Sequence, residues 1–139
     1  MKDSISHIVA IGIGGALGTL SRHLINYYTL FTAYPIGTVI ENIVGTFLLG
    51  GLTGWFIYRN VRPWLKAGMG VGFCGGFTTM STLAADTIFL TQTNSIFAPF
   101  IYVVSSLFGG IIFAFFGYFL GSKLSKRTSQ QKSLKSFDV

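Results

Sequence analysis

The residues most able to do chemistry lie in one stretch, Gly72-Phe73-Cys74-Gly75-Gly76-Phe77-Thr78-Thr79-Met80-Ser81-Thr82. Glycines fill its first half and hydroxyl side chains its second. It sits in the middle of an apolar segment, roughly residues 64–90, long enough to cross a bilayer as a helix. Its centre is nevertheless built from residues that weaken a helix or offer oxygen atoms. Backbone freed at membrane depth persists only where protein or a watery cavity satisfies it. The stretch is therefore either a close helix-packing surface or a broken helix that coordinates something. Other polar groups share this apolar setting. Glu41 and Asn42 fall a turn or more inside an apolar segment, where an acid and an amide are costly unless they face protein or water. Asn42 suits either a ligand role or an interhelical hydrogen bond. Arg22 sits near the end of another segment, either snorkelling to the interface or facing a polar vestibule that attracts anions. Tyr102, Ser106 and Gly110 are spaced by four and share one helical face, as interhelical glue or as the lining of a path.

Most catalytic chemistries are excluded. The sequence offers no HExxH, phosphate-binding loop, dinucleotide fingerprint or credible Ser-His-Asp set. His7 and His23 are separated by roughly 24 Å of helix at about 1.5 Å per residue, too far to share a metal. Four acidic residues, two of them terminal, form no paired-carboxylate site. A lone cysteine, Cys74, excludes an internal disulfide and reads as a small packing residue. The chain reads as no enzyme, and conduction or binding is favoured.

The elements that must position these groups are membrane helices. Half of the 139 residues are hydrophobic and only 10 % are charged, against about a quarter in a soluble domain. Eighteen glycines and fourteen phenylalanines suit close helix contacts in lipid. Spans are expected at about 5–28, 37–58, 64–90 and 96–121, joined by short loops. Residues 122–139 are expected to form a basic, disordered cytoplasmic tail. The first span has no cleavage site of the secretory kind, so no removable signal peptide is read. Together residues 1–121 make an all-α membrane protein, a compact four-transmembrane-helix bundle.

The formal charge of +6 reports topology rather than nucleic-acid binding. With four spans, Lys2, Arg59, Arg62, Lys66, Lys123, Lys126, Arg127, Lys132 and Lys135 fall on one side. The opposite loops carry no Lys or Arg. The positive-inside rule then places both termini in the cytoplasm of a multi-pass protein of the cell membrane.

Three motifs resemble the Fluc (CrcB) fluoride channels over residues 10–121. They are Gly14-Gly15 through Arg22; Gly37-Thr38 with Asn42 and Gly45; and the opening stretch from Gly72 to Thr82. The resemblance implies an antiparallel dimer with two fluoride pores, a broken third helix and a central structural sodium ion. By that likeness, backbone carbonyls at Gly75 and Thr78 hold the sodium. Arg22, Asn42, Ser81, Thr82, Tyr102 and Ser106 mark the anion path, and Asp86 occupies a position where an acid is usual.

Departures from the family pattern point further. Two pore phenylalanines, whose positive ring edges can meet an anion, are replaced by Met80 and Leu83. Gly110 stands where the polar track would have a serine, and Glu41 adjoins Asn42. A strong Lys/Arg bias also opposes insertion in both orientations, so an antiparallel partner is expected to be a different, paralogous chain. The expected function is passive fluoride export across the cell membrane as one half of a heterodimeric channel. The other readings are a non-conducting structural subunit and a small multidrug-type exporter. Against the exporter, the first span lacks an embedded acid between Ile5 and Leu20.

Overall fold

A computed structural model describes residues 2–29, 31–32, 34–92 and 95–135. Every regular element is helical, and no strand occurs among the described residues. Helix α1 spans Lys2–Thr29 and α2 spans Ile36–Ile57. The third segment is composite. It runs as α3 (Pro63–Ala67), a π-helical stretch (Gly68–Cys74), α4 (Gly75–Phe77) and, after three non-helical residues, α5 (Ser81–Thr91). Helix α6 covers Phe97–Lys135. Three helices, α1, α2 and α6, contain stretches long and apolar enough to cross a membrane.

Local chemistry sets the ends. The terminal carbonyl of α1, on Thr29, accepts the Thr32 N–H at 3.1 Å and the Thr32 hydroxyl at 2.7 Å. Pro35 precedes the first residue of α2, and Pro63 opens α3, where a missing N–H costs nothing. The π-helical stretch carries three glycines in seven residues.

Two pairings build the bundle: α2 lies along α6, and α1 lies along the π-helical stretch and α4. In lipid, apolar side chains gain nothing by leaving hydrocarbon, so helices associate through close van der Waals packing. Gly72 makes that approach possible. A Cβ placed there would lie 2.8 Å from the Ile11 carbonyl oxygen. The inward-facing apolar cluster is small: Leu83 and Leu90 of α5 with Tyr102 of α6, flanked by Val39 and Val103. Large apolar side chains such as Ile13, Phe108 and Phe119 face outward, as suits a surface bathed in hydrocarbon.

The last element departs from expectation. A disordered tail is expected from residue 122, but α6 continues as one helix to Lys135. The cause lies partly in Ser125, which is fully buried and donates its hydroxyl to the Trp55 carbonyl at 2.9 Å. That bond ties the helix to the end of α2 beyond the expected limit of the span. Residues 136–139 lie outside the described residues. Nearby, the Arg59 guanidinium stacks over Trp55 at 5.3 Å and the Lys66 ammonium over Phe56 at 5.7 Å, gathering cations at this end.

Candidate functional site

The site begins at the interruption between α4 and α5. Thr78 takes an extended backbone conformation, with φ −80° and ψ 156°. Its N–H still donates to the Cys74 carbonyl at 3.0 Å, the last rung of the ladder. The next rung would join the Thr79 N–H to the Gly75 carbonyl. Instead that N–H donates to Asn42 Oδ1, on α2, at 2.8 Å. Asn42 Nδ2 in turn donates to the Thr79 carbonyl at 3.0 Å and to Ser106 Oγ on α6 at 3.2 Å. One buried amide thus ties three segments and supplies the backbone groups that a break would leave unpaired.

Thr79 also starts α5. Its hydroxyl accepts the Thr82 N–H at 3.2 Å, pairing a donor in the first turn of α5 that has no partner within the helix. The same oxygen lies 3.1 Å from Thr82 Oγ1 and 3.2 Å from Ser81 Oγ. Asn42, Thr79, Ser81, Thr82 and Ser106 therefore form one connected polar cluster inside an apolar bundle.

A second cluster lies further along α5. Asp86 Oδ2 accepts the Thr38 hydroxyl from α2 and the Tyr102 hydroxyl from α6, each at 2.7 Å. Two hydroxyl donors on one carboxylate oxygen give it a fixed orientation. Thr38 and Asp86, with Thr82, also border a cleft of about 460 Å³ that Thr32 and Tyr34 help to line.

Asn42 and Ser106 border a separate cleft of about 470 Å³, together with Gly75, Thr78, Met80 and Gly110. The structure thus brings most of the expected site residues to two neighbouring polar regions. Arg22 stands apart from both clefts, half-buried on α1, with its charge acting through space on Glu41. The diverged positions part company. Met80 is 65 % exposed at the interruption, whereas Leu83 is 3 % exposed and packs inward with Leu90 and Tyr102. Gly110 is buried facing Thr46, whose hydroxyl is held by its own helix through the Asn42 carbonyl at 2.7 Å.

Two contributors escaped the sequence reading as site residues. Thr38 pairs with Asp86 across 48 residues, a separation that helical spacing within one segment does not reveal. Thr79, read only as part of a hydroxyl run, is the hub of the first cluster. Its signal was a hydroxyl residue just ahead of the apolar run that forms α5, where side-chain oxygens commonly meet the first free N–H groups.

Comparisons with known proteins place the sequence in a family. The family model described as CrcB-like protein, Camphor Resistance (CrcB), matches residues 9–118. This chain belongs to the CrcB family. The CrcB chain is 57 % identical over 131 residues to a Halalkalibacterium halodurans protein named fluoride-specific ion channel FluC 2, covering 94 % of this chain and 97 % of that one. Its identity to the Bacillus subtilis protein of the same name is 44 % over 126 residues, covering 91 % and 95 %. A Bacillus cereus relative, fluoride-specific ion channel FluC 1, is 39 % identical over 127 residues, covering 86 % of the CrcB chain and 90 % of its own. These relatives carry the names of channels, and all the site residues described above lie within the CrcB match.

Proposed function

We propose that this chain is a subunit of a fluoride channel that lets fluoride leave the cell passively and so relieves its toxicity. One observation carries the reading: Asn42 links the Thr79 backbone and Ser106 into a polar cluster within an apolar bundle. A dehydrating anion needs donors at membrane depth, and hydroxyl and amide groups there supply them. The relatives' names support fluoride as that anion. Fluoride is drawn in near Arg22, passes Asn42, Ser81 and Thr82, and moves along Tyr102 and Ser106.

The third segment acts as a fourth, broken span, with both termini in the cytoplasm. The chain assembles as an antiparallel dimer, and its charge bias favours a paralogous partner inserted the other way round. Relatives bearing the numerals 1 and 2 accord with such pairs. A sodium ion suits the surface at Gly75 and Thr78. Transfer of the Thr79 N–H to Asn42 takes away the Gly75 carbonyl's ladder partner, Gly75 is exposed, and both residues border one cleft. Such hard backbone oxygens match an alkali cation. Bound there, sodium supplies positive charge that favours the nearby anion.

A second reading, a non-conducting structural subunit, is favoured by Met80 and Leu83. Neither offers a ring edge, and Leu83 is committed to the core. Fluoride efflux from liposomes separates the two. The chain is tested alone and coexpressed with a paralogue, with Asn42→Ala and Thr78→Pro in this chain. Coexpression is expected to give flux that Asn42→Ala lowers by about tenfold or more and that Thr78→Pro abolishes. Full flux from the chain alone would refute the paralogous pair. Flux indifferent to both substitutions would favour the structural subunit.

A further inference from the structure

The face of α2 that turns into the bundle carries Thr38, Glu41, Asn42 and Gly45, all buried. Thr38 and Asn42 are hydrogen-bonded across to other segments. Glu41, between them, is not. Its side chain is 0 % exposed, and neither carboxylate oxygen has a hydrogen-bond partner. The charged groups that act on it are Arg22 of α1 and Asp86 of α5, both through space rather than by hydrogen bond. Tyr102 of α6 is hydrogen-bonded to Asp86 and also faces the field of Glu41. The π-helical stretch and α4, also packed on α2, add no titratable group beyond the Cys74 thiol.

An ionised carboxylate enclosed without a single donor is among the costliest arrangements in a protein. The neutral acid is far cheaper to enclose. The position matters because the next residue, Asn42, anchors the polar cluster. A negative charge on Glu41 would stand beside the proposed anion path, only partly offset by Arg22. A neutral acid there leaves the path's donors and the Arg22 charge free to favour an anion.

We infer that Glu41 is a proton-binding site beside the anion path, neutral when fluoride occupies the path and opposed to fluoride when ionised. This rests on the fluoride reading above. The sign follows directly: raising pH ionises Glu41 and disfavours fluoride. Linkage makes the effect reciprocal, so fluoride must strengthen proton binding by the same factor that protonation strengthens fluoride binding.

Glu41 is the sole glutamate of the chain, so ¹³C-glutamate marks it within this chain without mutation. The test uses the full-length protein in lipid vesicles and follows the carboxylic C=O infrared band against pH, in sodium fluoride or sodium gluconate. The expected band shifts with ¹³C-glutamate, is missing in Glu41→Gln, and disappears as pH rises. A tenfold coupling moves its midpoint about one pH unit higher in fluoride. Fluoride flux is expected to fall across that transition in the native protein and to stay level in Glu41→Gln. Absence of the band at every pH, or a midpoint indifferent to fluoride, would overturn the inference. Should Glu41→Gln not fold, the labelled native protein still gives both readings. A fluoride-shifted band without flux would support the proton site and sink conduction instead.

Discussion

Asp86 carries an unusual share of the polar organisation. A single oxygen of its carboxylate takes hydroxyls from two different helices, Thr38 at 2.7 Å and Tyr102 at 2.7 Å. Losing one donor leaves the other in place; losing both leaves the oxygen with neither. Thr38→Val and Tyr102→Phe are each expected to cost about 1 kcal/mol. The double variant should cost more than their sum by about 1 kcal/mol, because only then is the oxygen stranded. Unfolding titrations in detergent for the two single variants and the double would test this, and simple additivity would rule out a shared acceptor. At this scale the sequence was partly legible. Asn42 and Ser106 stood out because a polar side chain in an apolar segment needs a partner. The pairing of Asn42 with Thr79 and Ser106, and that of Thr38 with Asp86, depended on rotations of separate helices that spacing along one segment does not specify. Met80 and Leu83 show the same limit. Both were readable as departures from one motif, yet one faces outward at 65 % exposure and the other is buried at 3 %, because a change of direction at Thr78 lies just ahead of them.

At the level of elements, apolar length placed the ends of α1 and α2 to within three residues, and Pro35 and Pro63 mark where α2 and α3 begin. What length cannot give is how far a helix outlasts its apolar part. Helix α6 runs beyond residue 121 because Ser125 finds a carbonyl on Trp55, a contact between segments rather than a local preference. The close seam between α1 and the π-helical stretch is more legible, since glycine is the residue that permits backbone contact. It is also the more fragile. Gly72→Ala would set a methyl 2.8 Å from the Ile11 carbonyl, and the opposing group is backbone, which cannot turn aside. A loss of about 1–3 kcal/mol is expected, seen as a lower melting temperature in detergent. An unchanged melting temperature would mean that the two helices separate freely and that their contact contributes little.

The whole molecule joins two helix pairs, α2 with α6 and α1 with the first half of the composite segment, while α5 packs on α6 and α2, and the polar clusters lie where the composite segment meets the α2–α6 pair. This explains why the site was harder to read than the fold: each cluster draws on both the composite segment and that pair, so neither exists before they dock. The bond between Asn42 and the Thr79 N–H has a consequence for how the protein is made. The acceptor that replaces the Gly75 carbonyl comes from another helix, so the third segment on its own keeps only the local Thr79 hydroxyl bond to the Thr82 N–H and lacks the partner that holds that rung open. A peptide covering residues 63–91 in micelles is expected to close into continuous helix through Thr78 and Thr79, with amide exchange at Thr79 as slow as at its neighbours. Fast exchange confined to that amide would show that the interruption is inherent. In the expected case, the machinery that inserts spans one after another handles a straight third segment, and the opening at Thr79 is acquired late, as the maturing protein's last act of assembly.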